Sequence, residues 1–133
     1  MTVPVGVIDT SVFIASETGR RLDLVGRLDE AVVSVVTLAE LQVGVLAAQD
    51  VETRARRLLT LDAVSDLEAL PITEAAAREC ARMRVLLATA GRHVDVNDLW
   101  IAATAAAASM PVVTQDGDFD VLADLAGLSV VKV

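Results

Sequence analysis

An α/β domain built on a parallel sheet is the fold that this chain predicts. Short β-branched runs alternate with longer helical patterns, which is the order of strands joined by helical crossovers. The run Val32-Val33-Ser34-Val35-Val36 is nearly unbroken valine, as suits a strand covered on both faces. The 133 residues fit one hydrophobic core. The expectation is therefore a single domain over residues 1–133, with a central parallel sheet of about five strands flanked by helices.

Each element has its own signal. Val5 to Ile8 forms the first strand and Val32 to Val36 the second. Ala69-Leu70-Pro71-Ile72 is a short third strand, moved toward an edge by its proline. Val112 to Thr114 is the fourth strand and Leu128 to Val133 the fifth. Thr37 and Glu40 match a capping box ahead of Leu41 and Val45. Thr73 or Glu74 opens a helix with Ala76, Cys80, Met83, Leu87 and Ala90 on its inner face. Glu74 and Arg78 pair on its outer face, and Gly91 stops it. Ala102 to Ala108 makes a slim helix, able to pack very close to its neighbours. Asp116-Gly117-Asp118 is a turn before a helix from Phe119 to Ala126.

Composition narrows the setting. No apolar stretch reaches the ~20 residues of a membrane span, and no basic segment precedes an apolar run as in a signal peptide. A single cysteine, Cys80, excludes an internal disulfide and suits a reducing cytoplasm. The net charge of −8 argues against nonspecific nucleic-acid binding, although arginine clusters at 54–57 and 78–84 leave local basic patches. One histidine and one cysteine cannot build a zinc site of the usual kind, and no phosphate-binding glycine motif occurs.

Four carboxylates carry the chemistry. Asp9 ends the first strand, Glu40 lies about one helical turn past the second, Asp98 stands near a helix start, and Asp116 follows the fourth strand. In a parallel sheet ligands bind beyond the carboxyl ends of the strands, so all four fall on one edge. Each taken alone is explained by a cap or a turn. Together, with no lysine or arginine beside them in sequence, they call for a hard cation such as Mg²⁺ or Mn²⁺. Asp118 is a fifth acid of the same kind. An aspartyl phosphatase would want a second acid where Ser11 stands, and a phospho-receiver would want a lysine, for which Lys132 is the sole candidate. A non-catalytic binding module would use the acids only as caps.

Four segments carry a family resemblance. They are Val7-Ile8-Asp9-Thr10-Ser11-Val12-Phe13-Ile14-Ala15, Thr37-Leu38-Ala39-Glu40-Leu41-Gln42-Val43-Gly44, Asn97-Asp98-Leu99-Trp100-Ile101-Ala102-Ala103 and Pro111-Val112-Val113-Thr114-Gln115-Asp116-Gly117-Asp118-Phe119. In order and spacing they resemble a PIN-domain ribonuclease, specifically a VapC-type toxin. The resemblance implies a Mg²⁺- or Mn²⁺-dependent endoribonuclease that cuts structured RNA such as tRNA or rRNA, with metal-activated water attacking the phosphorus in line. It implies Asp9 and Asp98 as main metal ligands, Glu40 and Asp116 completing the acidic site, and Asp118 assisting. Thr10, Ser11 and Thr114 would orient the carboxylates. It also implies a homodimer inhibited by a VapB-type antitoxin. Arg20, Arg21 and Arg92 are candidates for holding the RNA backbone, as are Arg54, Arg56 and Arg57.

Overall fold

The computed structural model describes residues 3–19 and 28–133. Its sheet is parallel throughout, in the order β3-β2-β1-β4-β5: β1 (Val3–Ile8) lies between β2 (Leu28–Ser34) and β4 (Val112–Thr114), with β3 (Glu68–Leu70) and β5 (Val130–Lys132) at the edges. Among the described residues six helices connect and cover the strands: α1 (Thr10–Glu17), α2 (Val35–Leu46), α3 (Val51–Val64), α4 (Glu74–Ala90), α5 (Val96–Ala107) and α6 (Asp120–Ala126).

Strand alternation sorts the core into two layers. Val7, Val32 and Val112 face a cluster containing Cys80, Met83, Leu99, Ile101 and Phe119, beneath α4, α5 and α6. Their neighbours Ile8, Val33 and Val113 face the other way, toward Val12, Leu41 and Val64 on α1, α2 and α3. Cys80 is part of the first layer, 3% exposed. The alanines of α5 do what their size suggests: Ala102, Ala103 and Ala105 are fully buried, because nothing larger separates the helix from its neighbours.

Several boundaries differ from those the sequence suggests. β2 stops at Ser34, not Val36, because the Ser34 hydroxyl accepts the Val36 N–H at 3.0 Å and starts α2 there. Thr37 is consequently inside the helix and buried, and there is no capping box with Glu40. The fifth strand is shorter than Leu128 to Val133, and α6 begins at Asp120 after Phe119. On α4, Thr73 is the N-cap, and Ala76, Cys80, Met83 and Leu87 are buried as expected. Ala90 is exposed along with Ala88 and Thr89, since the last turn projects past the core. The arginines at 54–57 belong to α3, a helix that hydrophobic spacing does not announce; only Val64 of its residues is buried.

Candidate active site

β1 is the place where the chain reverses its direction of growth across the sheet: β2 and β3 are laid on one side of it, β4 and β5 on the other. The strand ends that diverge at such a switch leave a crevice. Asp9 opens it, directly after β1, its backbone N–H tied to the Val113 carbonyl of β4 at 2.8 Å. The Asp9 carboxylate occupies the N-cap position of α1 without capping it and is only 3% exposed. It accepts instead from the Thr114 hydroxyl at 3.0 Å.

That hydrogen bond belongs to a network of hydroxyls. The Gln115 N–H donates to the Ser11 hydroxyl at 3.2 Å, and Ser11 and Thr114 hydroxyls lie 3.2 Å apart. Either of these two hydroxyls can donate to the other, and the Thr114 hydroxyl reaches the Asp9 carboxylate at 3.0 Å and the Asp116 carboxylate at 3.4 Å. The Asp116 N–H also reaches the Thr114 hydroxyl, at 3.3 Å, while the Asp116 carboxylate accepts the Asp118 N–H at 3.2 Å. Thr10, the residue after Asp9, turns to α2: its hydroxyl donates to Glu40 at 2.7 Å and lies 3.1 Å from the hydroxyl of Thr37. Thr10, Ser11 and Thr114 thus each hold a carboxylate or a neighbour of one.

Asp98 lies in the first turn of α5, which Asp95 caps by accepting the Asn97 N–H at 3.1 Å. Its carboxyl is pushed up to about 7, first by burial and then by the charges of Asp9, Asp118, Asp95 and Glu40. Burial also raises Asp9, opposed by hydrogen bonds from Ser11 and Thr114 and reinforced by Asp116. Asp118 is raised mainly by the charge of Asp116. The acids are therefore close enough to oppose one another's ionisation. Among the described residues no lysine or arginine pairs with them; the ion pairs present are Arg56–Glu17, Arg78–Glu74, Arg82–Glu79 and Lys132–Asp120. Lys132, the cation a phospho-receiver would need, is thus taken by Asp120 at 2.8 Å.

The donors facing the crevice are carboxylate and hydroxyl oxygens, a chemistry that fits Mg²⁺ or Mn²⁺. Among the described residues no three acidic, histidine or cysteine side chains close into a ready ligand cage. Mutual repulsion keeps such carboxylates apart. The arrangement fits an ion that takes one or two carboxylates and keeps several waters.

Of the arginines suggested for gripping RNA, Arg92 lines a cleft with His93, Asp98 and Asp118, whereas Arg20 and Arg21 lie outside the described residues. Two participants are not evident in the sequence. Thr37 reads there only as a helix cap. Asp95 is legible only as an acid three residues ahead of Asp98, the spacing of a cap and a first-turn acid.

A doubly covered parallel sheet with carboxylates gathered over its switch point defines the class. The chain belongs to the PIN domain family, whose pattern matches residues 6–125. It is 53% identical over 132 residues to ribonuclease VapC5 of Mycobacterium tuberculosis, covering 99% of this chain and 98% of that protein. Ribonuclease VapC4 of the same organism is 42% identical over 125 residues, covering 94% and 96% of the two chains. Among solved structures, the crystal structure of VapBC-5 from M. tuberculosis, a member of the VapBC family of toxin–antitoxin systems, superposes with a TM-score of 0.89 at 51% identity, covering 97% of this chain and 98% of that one. A chain of VapBC2 from Rickettsia felis shares the fold, with a TM-score of 0.80 at 21% identity, covering 97% and 98%.

Proposed function

We propose that this chain is the VapC-type ribonuclease toxin of a toxin–antitoxin pair, a divalent-metal-dependent endoribonuclease acting on structured RNA such as tRNA or rRNA. The observation that carries the reading is the set of carboxylates over the switch point, with Asp98 raised to about 7 by burial and by four other acids and in no ion pair among the described residues. Its relatives named as ribonucleases cover nearly the whole chain.

Asp9 and Asp98 would hold the ion, with Asp116 and Asp118 reaching it directly or through water. Bound there, a Mg²⁺ or Mn²⁺ ion supplies Lewis acidity toward the scissile phosphate and lowers the pKa of the attacking water. Asp9 needs a fixed direction to serve, and the Thr114 hydroxyl supplies it. Glu40, fixed by Thr10, offers an oxygen acceptor for a proton of the attacking water from the α2 side. The 3′ oxygen leaves with a proton drawn from solvent.

A VapB-type antitoxin is the partner this reading requires, and the surface offers room for one. Ile14, Val43, Leu46 and Leu59 are 53%, 63%, 71% and 72% exposed on α1, α2 and α3. A cleft of about 350 Å³ leads from that face past Ile14 and Leu41 to Thr10 and Glu40. A homodimer in a cytoplasmic setting completes the proposal. No helix of the described residues is long and apolar enough to cross a membrane.

The test is RNA cleavage by purified protein with Mg²⁺ or Mn²⁺. Asp9→Asn and Asp98→Asn should each abolish it while circular dichroism remains native. Metal-dependent cleavage that survives in the purified double variant would remove these carboxylates from the mechanism.

A further inference from the structure

Arg84 and Arg92 differ from the other described arginines in holding neither a carboxylate nor a carbonyl among the described residues. Arg54 and Arg57 donate to the carbonyls of Ala48 and Gly44 at 3.0 and 2.7 Å. Arg56 pairs with Glu17, Arg78 with Glu74, and Arg82 with Glu79 and the Ala126 carbonyl. Arg84 stands one turn on from Cys80 along α4, and its charge and hydrogen bonding partly offset the burial that raises the thiol. Both guanidinium groups thus have donors to offer an anionic ligand.

Both line one continuous path. A cleft of about 560 Å³ runs from Asp98 and Asp118 past Asp95 and Asp120 to Arg92 and His93. A second, of about 320 Å³, shares Arg92, His93 and Val94 and continues to Arg84 along Val96 and Leu99. The sign of the charge changes along the way. The first cleft is walled by acids, whereas the only charged side chains lining the second are the two arginines. Arg92 is also held in place by the backbone: its N–H closes on the Leu87 carbonyl at 2.9 Å, across the left-handed turn at Gly91.

We propose that this path seats a single-stranded stretch of the RNA substrate, with Arg92 and Arg84 binding successive phosphates on one side of the scissile bond. The assignment rests on the nuclease reading above. A strand whose scissile phosphate lies among carboxylates is repelled there, so its neighbouring phosphates need cations close at hand. Arginine presents a fork that fits phosphate. The apolar wall of Val94, Val96 and Leu99 and the exposed His93 ring offer faces for ribose and base, as single strands use. A single strand can lay its phosphates on the arginines and its bases on the apolar wall, which a duplex with its bases paired and stacked inside cannot do.

The test uses the uncleaving Asp98→Asn protein and fluorescence anisotropy of a labelled single-stranded oligoribonucleotide over a series of salt concentrations. Adding Arg84→Gln and Arg92→Gln together should weaken binding and lower the slope of log affinity against log salt by roughly 1.4, about 0.7 for each phosphate no longer neutralised. Arg78→Gln, which removes an arginine from the outer face of the same helix, should leave the slope unchanged. An unchanged slope in the double variant, equal losses with Arg78→Gln, or no binding of RNA at all would overturn the path. Cleavage assays of the parent protein separate the two readings. If it cuts RNA while the slope is insensitive to both arginines, only the path fails. If it does not cut RNA but the slope falls as expected, the two arginines bind RNA phosphates while the nuclease reading, and with it the place of a scissile bond on the path, fails.

Discussion

Thr114 controls the direction of Asp9. It is fully buried at the end of β4, and its hydroxyl is the geometrically well-formed donor to a carboxylate that is itself 3% exposed. Thr114→Val keeps the shape and removes the donor, so Asp9 loses a charge-assisted bond worth about 2 kcal/mol and its pKa rises further. Urea denaturation should record that loss, and the divalent-ion concentration needed to stabilise the protein should increase about 10-fold or more. An unaltered metal response in a stably folded Thr114→Val protein would show that the Thr114 hydroxyl does not position Asp9. The acids themselves are legible in sequence because each sits at a strand end or near a helix start, where hydrophobic runs stop. Their partners are less so. Thr10 and Glu40 are thirty positions apart, and nothing local shows that a hydroxyl beside one acid will bond another across two helices.

Elements with a strong one-sided pattern declare themselves, and those without do not. β1 and β4 are short, β-branched and covered on both faces, and the α4 stripe follows helical spacing down to Leu87. α3 carries Leu58 and Leu59 outward, at 45% and 72% exposure, so its apolar residues mark no buried face. The start of α2 is displaced from its expected place because Val35 and Val36 continue the strand chemically; the Ser34 cap outweighs their β propensity. At the far end of α4, Gly91 adopts φ +65°, and a Cβ added there would meet no atom within 4 Å. Gly91→Ala should therefore cost about 1 kcal/mol through backbone strain alone, without a clash. Thermal melting measures that cost. Because Arg92 follows directly, RNA binding should weaken as well, and Gly91→Asn, which tolerates the left-handed region better, should recover part of both. Full stability with alanine would mean that the turn relaxes to another conformation.

Charge is balanced over the whole molecule in a way that couples stability to pH and to metal. The protein carries −8 overall and concentrates several of its acids in one crevice, so folding itself works against ionisation there. For Asp98 the folded protein holds a proton up to about pH 7, whereas the unfolded chain releases it near the ordinary value of 3.8. Between those values the folded state binds more protons, so stability falls as pH rises through the window and levels off above it. Asp9 and Asp118 are shifted in the same direction. Without divalent ions, Asp98→Asn should then melt above the parent protein at alkaline pH, with the gap closing toward about pH 4. Mg²⁺ or Mn²⁺ should invert this order, because the ion binds the ionised carboxylate and displaces its proton. At a hundredfold excess over its dissociation constant the parent protein gains about 2.7 kcal/mol, most fully above about pH 7, and Asp98→Asn gains much less. Thermal melts of both proteins across pH, with chelator and with metal, measure all of this. Parallel pH profiles and equal metal shifts in the two proteins would mean that Asp98 neither carries the strained charge nor receives the ion.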